Sequence, residues 1–256
     1  MAKVAIDAGH GGRDPGAVYE GRREKDDTLR LALAVGEILE RNGVDVTFTR
    51  TEDVYDSPVR KAQIANEAGV DYLVSIHRNA MPIPGSASGI ETLVYKSGNE
   101  ASALAEDINE ELEMVGFENR GVIPRPNLAV LRRSQMPAVL VEVGFIDNEE
   151  DNEQFDEKFN EIAEAIANGI LRYLGTNRPD DPNHSKRLYR VQVGAFRKRE
   201  FAYQLTEQLQ QEGYPAFTIF EDGLYKVQVG AFQYLDNAVR MEQRLRRAGY
   251  QTYLTT

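Results

Sequence analysis

The first 175 residues alternate two apolar patterns. Short β-type runs at Val4 to Ala8, Val44 to Thr49, Tyr72 to Ile76, Ile90 to Tyr95 and Ala138 to Val143 alternate with stretches of helical spacing at Thr28 to Arg41, Pro58 to Ala68, Ser102 to Val115 and Phe155 to Leu174. Such alternation predicts an α/β fold, an open, mostly parallel twisted sheet with helices on both faces. Turn chemistry agrees, since Asn42-Gly43 follows the first helix and Ser57-Pro58 opens the second.

A different pattern begins near residue 187. Leu188-Tyr189-Arg190-Val191-Gln192-Val193-Gly194-Ala195-Phe196 returns 36 residues later as Leu224-Tyr225-Lys226-Val227-Gln228-Val229-Gly230-Ala231-Phe232, and Gly213-Tyr214 returns as Gly249-Tyr250. Each copy reads strand, helix, strand. Two βαβ units predict a small ferredoxin-like α+β βαββαβ domain with both helices on one face of a four-stranded sheet. Val191, Val193, Val227 and Val229 then face the helices, which turns Gln192 and Gln228 onto the open face, where paired amides suit a carbohydrate ligand. The chain therefore divides into a domain at 1–175, a linker at 176–186 rich in Pro, Asn and Asp, and a repeat domain at 187–256. His184, in the linker, reads as a solvated residue rather than a metal ligand.

Composition removes several classes. With 41% apolar residues, 28% charged residues and no cysteine, the chain is globular and has no disulfide framework, and no apolar run approaches the roughly 20 residues of a membrane span. The net charge of −11 is unevenly distributed: residues 185–256 carry 11 Lys and Arg against 7 Asp and Glu, so the acidity belongs to the first domain. No basic run has the density of a nucleic-acid arm. Met1-Ala2-Lys3 leads directly into the first strand without a signal-peptide pattern, so the expectation is synthesis in the cytoplasm and action after release.

Chemistry concentrates at the strand ends. His10 follows the first strand, His77 the third, and Glu142 lies near the end of the fifth; if those strands are parallel, all three share the carboxyl edge, where open α/β sheets bind ligands. Glu24 sits in the loop entering the first helix. Two imidazoles and a carboxylate with an open position form a catalytic zinc site, and a further carboxylate supplies a base for a bound water. Taken singly, either histidine also reads as a structural residue, and Glu24 as a favourable helix-start acid. An ionised Glu142 between Val141 and Val143 needs a positive partner or a proton. The Gly9-His10-Gly11-Gly12-Arg13-Asp14 turn lacks the endings of a phosphate cradle, and its glycines instead allow close approach of backbone to the site.

Two resemblances sharpen this reading. Ile6-Asp7-Ala8-Gly9-His10-Gly11-Gly12-Arg13-Asp14-Pro15-Gly16-Ala17, then Arg23-Glu24-Lys25, Ser75-Ile76-His77-Arg78-Asn79-Ala80 and Pro137 to Asn148 resemble the amidase-3 family of zinc N-acetylmuramoyl-L-alanine amidases. The doubled Val-Gln-Val-Gly-Ala-Phe resembles the sporulation-related repeat (SPOR) domain, which binds glycan strands stripped of peptides. The resemblance implies one Zn²⁺ held by His10, Glu24 and His77, with Glu142 as catalytic acid/base. Asn79 and Arg132 are implied as substrate contacts, and Gln192 and Gln228 as glycan contacts. Arg78 stands where the family often has a small residue and is expected to narrow or charge the cleft rim without touching a ligand. The expected partner is peptidoglycan, and the expected activity is cleavage of the amide between the lactyl group of N-acetylmuramic acid and L-alanine, in sporulation or phage lysis. The alternatives are a zinc stem-peptide carboxypeptidase and a non-catalytic wall-binding protein.

Overall fold

The computed structural model describes residues 2–176, 189–232 and 235–255. The linker residues 177–186, His184 among them, lie outside the described residues. The chain forms two compact units, Met1–Pro179 and Asp180–Thr256.

In the first unit β1 (Lys3–Ala8) is followed by a short hairpin, β2 (Val18–Tyr19) and β3 (Arg22–Arg23), that delivers the chain into α1 (Glu24–Arg41). Then come β4 (Asp45–Phe48), α2 (Pro58–Ala68), β5 (Tyr72–Asn79), β6 (Ile90–Val94), α3 (Glu100–Val115), β7 (Asn119–Pro124), α4 (Ala129–Arg133), β8 (Ala138–Phe145), α5 (Glu149–Glu157) and α6 (Phe159–Thr176). The six-stranded sheet has the order β4-β1-β5-β8-β6-β7. β4, β1, β5 and β8 are mutually parallel, as the alternation predicts, while β6 runs antiparallel to β8. The reason is local. Residues 80–89 contain no crossover helix, so the chain re-enters the sheet from the edge it left. That reversal brings the start of β6, with Glu91, to the carboxyl edge of β5 and β8.

Period-two alternation assigns the faces. Along β5, Val74 and Ile76 join Leu31, Val35 and Leu39 of α1, Leu104 and Ile108 of α3 and Ile166 of α6 in the main core, whereas Leu73 joins Ala65 of α2, Val130 and Leu131 of α4 and Leu140 in a smaller core on the other face. Each fully buried leucine contributes about 2 kcal/mol of transfer free energy. α2 shows its start in sequence: Ser57 accepts from Arg60 N (3.2 Å) with Pro58 at the first helical position, and Gly69 closes the helix at φ 61°.

In the second unit β9 (Tyr189–Phe196), α7 (Arg199–Gln211), β10 (Ala216–Glu221), β11 (Leu224–Phe232), α8 (Leu235–Arg247) and β12 (Tyr253–Thr255) form an antiparallel sheet of order β10-β11-β9-β12, the ferredoxin-like arrangement. Val191, Val193, Val227 and Val229 pack with Ala202 and Leu209 of α7 and Met241 and Leu245 of α8, as their alternation with glutamine predicts. One expectation fails. Gln228 is only 3% exposed, because it lies in register between Phe217 of β10 and Gln192 of β9, and its neighbours cover it. Gln192 is half-buried and is flanked on its other side by Tyr253, which is 59% exposed.

Candidate metal centre

β1 ends at Ala8, and the chain passes through Gly9 into His10, a non-glycine residue at φ 57°. Glu24 is the first residue of α1, one turn earlier than the periodicity of that helix suggests, and the acidic first turn suits the helix dipole. His77 projects from β5 itself, which runs on to Asn79.

These three side chains meet. His10 Nε2 lies 3.1 Å from Glu24 Oε2, His77 Nδ1 lies 2.8 Å from Glu24 Oε1, and the two rings stand edge to face at 4.9 Å between centroids. One ligand atom from each residue falls within 4.8 Å of the others. Glu24 also accepts from the backbone N–H groups of Ala17 (2.9 Å) and Arg78 (3.1 Å). Burial alone would raise Glu24, yet bonds and charge from the two imidazoles outweigh it and hold the carboxyl well below its ordinary range. Burial pulls His10 down, but Glu24 and Asp14 outweigh that and raise it; Asp14 Oδ2 sits 2.9 Å from His10 Nδ1 and orients the ring. Gly9 and Gly16 are required by proximity. A Cβ on Gly9 would stand 2.5 Å from His77 Cε1, and one on Gly16 2.5 Å from Glu24 Oε2.

Glu142 is the Cα partner of His77 across β5 and β8 and of Glu91 across β8 and β6. Its Oε2 is buried and has no hydrogen-bond partner among the described residues. Burial, reinforced by the Glu24 and Glu91 carboxylates, pushes its pKa well above the ordinary value.

A cleft of about 210 Å³ opens beside His10 and His77, walled by Pro58, Leu128, Ala129, Val130 and Leu140. Arg132, exposed on α4, lies three residues beyond Ala129, so it stands one turn along the same helix face. Asn79 Nδ2 donates to Glu91 (3.0 Å), which fixes the end of β5.

Arg78 departs from its expected place at the rim. Its side chain is 1% exposed, because position 78 shares the Val74 and Ile76 face of β5; there it pairs with Asp27 (2.8 Å) and Asn152 (2.8 Å) and lies over the Phe155 ring (4.2 Å). It also touches a ligand after all, through its backbone N–H on Glu24. Residue-by-residue reading misses two carboxylates, Asp14 and Glu91. Glu91 carries the same signal as Glu142, an acid inside an apolar β-run, and Asp14 sits four residues after His10.

Two imidazoles and a carboxylate around one point, beside a buried carboxyl of raised proton affinity, are the donors and the base that metal-assisted hydrolases use. Residues 4–172 match the N-acetylmuramoyl-L-alanine amidase family, and residues 185–256 match the SPOR domain. The chain is 37% identical over 228 residues to N-acetylmuramoyl-L-alanine amidase CwlM of Bacillus licheniformis and, at the same identity and length, to the sporulation-specific N-acetylmuramoyl-L-alanine amidase of Bacillus subtilis strain 168; each match covers 87% of this chain and 86% of the relative. The crystal structure of N-acetylmuramoyl-L-alanine amidase from Clostridium difficile 630 superposes at a TM-score of 0.66 with 35% identity, covering 69% of this chain and 98% of that one. The chain belongs to the N-acetylmuramoyl-L-alanine amidase family, the Amidase_3 peptidoglycan amidases, and carries a SPOR domain. Among the described residues no helix is long and apolar enough to cross a membrane.

Proposed function

We propose that residues 1–175 form a zinc-dependent catalytic domain that cleaves the bond between the lactyl group of N-acetylmuramic acid and L-alanine, and that residues 187–256, joined through 176–186, hold it on glycan strands. The convergence of His10, Glu24 and His77 on one point carries the reading. Nitrogen and carboxylate donors in this number fit zinc, and Glu24, buried between two imidazoles, supplies one negative charge to a divalent ion. Zinc held by these three residues would supply Lewis acidity to the scissile carbonyl and to a water.

The chain's own groups do the rest. Glu142, with a raised proton affinity and one free oxygen, takes the proton of the attacking water and returns it to the departing amine of L-alanine. Asp14 keeps the His10 ring aligned. Asn79 and Arg132 meet the stem peptide, Arg132 through a carboxylate. In the repeat domain the row Phe217, Gln228, Gln192 and Tyr253 crosses the sheet in register, offering exposed aromatic faces and an amide to a sugar chain. Tethering to the wall raises the local concentration of equivalent bonds. The sporulation-specific relative supports a role in wall lysis during sporulation, with the enzyme reaching its substrate when the producing cell lyses.

The test is elemental analysis of the purified chain followed by mass spectrometry of digested peptidoglycan before and after chelation. One zinc per chain, peptides beginning with free L-alanine, and loss of those peptides on chelation that zinc restores are expected. Activity that persists without metal, or shortened stem peptides still attached to muramic acid, overturns the reading.

A further inference from the structure

The backbone that carries His10 is gripped by buried cations. Arg50, 4% exposed, donates from Nε to Ala8 O (3.1 Å) and from one terminal nitrogen to Gly9 O (2.8 Å) and Lys25 O (2.9 Å). Lys61, 3% exposed, donates from Nζ to Ala8 O and to His10 O (3.2 Å), and pairs with Asp7 Oδ1 (3.0 Å). Three successive carbonyls leading into the site thus end on two positive charges. Beyond them Lys25 Nζ donates to Gly12 O (2.9 Å) and to Asp53 (2.6 Å), while Asp53 accepts from Gly12 N (2.7 Å).

Backbone conformation explains why such a grip is needed. His10, Gly11 and Gly12 sit at φ 57°, 133° and 55°, and an L-residue stays in the left-handed region only where its surroundings over-determine it. The strand ladder ends at Ala8, so these carbonyls must find other donors or be buried without them. Hydrogen bonds from a charged donor are about twice as strong as neutral ones, which makes a guanidinium and an ammonium effective anchors. Asp7, 1% exposed, keeps the arrangement balanced: it accepts from Ser75 (2.5 Å) and Thr49 (2.5 Å) and forms an ion pair with Lys61. Two carbonyls and the Asp7 carboxylate surround the Lys61 ammonium, which ties its charge to the protein at the border of the cleft.

We infer that Arg50 and Lys61 are positioning residues for His10: by holding the carbonyls of Ala8, Gly9 and His10 they fix its left-handed backbone and so aim its imidazole at Glu24. The inference rests on the reading of His10, Glu24 and His77 as metal ligands.

The test uses the full chain as wild type, Arg50→Lys, Lys61→Arg and the double variant Asp7→Asn/Lys61→Met, which removes the buried pair together so that no lone charge is left inside. Zinc affinity is measured by chelator competition, and ligand geometry from the visible spectrum of the cobalt-substituted protein. Arg50→Lys and the double variant are expected to bind zinc about 10- to 100-fold more weakly, with an altered cobalt spectrum, while Lys61→Arg stays within about threefold of wild type. Wild-type zinc affinity and an unchanged cobalt spectrum in Arg50→Lys and the double variant overturn the inference. Failure of the wild type itself to bind zinc overturns the metal-centre reading instead.

Discussion

Glu24 accepts a hydrogen bond from the backbone N–H of Arg78 (3.1 Å), while the Arg78 guanidinium turns to the far face of β5 and pairs with Asp27 (2.8 Å), one turn along α1 from Glu24. The two functions of position 78 are therefore separable. Burial lowers Arg78 to about 10, which leaves it charged at neutral pH, and its removal strands Asp27 with Arg22 as its remaining partner. Arg78→Ala is expected to cost about 3 kcal/mol of stability by scanning calorimetry, yet to bind zinc within about threefold of wild type because the backbone donor survives.

Gly9 is a steric requirement of His77. A methyl group there would stand 2.7 Å from both ring nitrogens, and the ring must move to admit it. Gly9→Ala is expected to lower kcat/KM by about 100-fold or more, the scale of an ångström-sized misplacement, while circular dichroism shows the fold retained.

Metal affinity should fall on the acid side. A metal ligand must be deprotonated, and the folded chain holds the proton of His10 more tightly than free histidine because Glu24 and Asp14 outweigh burial. Zinc affinity measured by chelator competition is expected to be flat above the raised pKa and to decline as pH drops through it. Asp14→Asn removes one of the raising groups, so the decline should begin at a lower pH; its affinity at high pH should drop by about tenfold because the ring loses its orienting partner.

The repeat domain separates exposure from burial at equivalent positions. Gln192→Ala and Tyr253→Ala are expected to weaken co-sedimentation with peptide-free glycan strands while leaving the melting temperature unchanged. Gln228→Ala, at a 3% exposed site, should lower stability by about 1 kcal/mol. Unimpaired binding by the first two variants would remove the glutamine-aromatic row from the account.

The parts that were legible in sequence are those set by period and by strand ends. His10, His77 and Glu142 share an edge because β1, β5 and β8 are parallel, which strand–helix alternation alone predicts. What escaped depends on tertiary neighbours. Arg78 follows a histidine that faces the site, and reading the strand as ending at Ile76 hides the alternation that turns its side chain away; the packing of α1 and α5 on the other face of β5 gives the guanidinium its partners. Gln192 and Gln228 occupy equivalent repeat positions, but Gln228 lies on a central strand between Phe217 and Gln192, and no repeat pattern reports which copy is covered. β7, interrupted by Gly121 and ending at Pro124, and the five-residue α4 are too short and irregular for periodicity to mark.

The central claim is that Glu142, beside a His10–Glu24–His77 metal centre, moves the proton. Glu142→Gln preserves shape and removes the charge, so the variant should keep one zinc per chain and lose hydrolysis of purified peptidoglycan by about 10³-fold. A zinc-loaded Glu142→Gln enzyme that releases L-alanine peptides at the wild-type rate would contradict it.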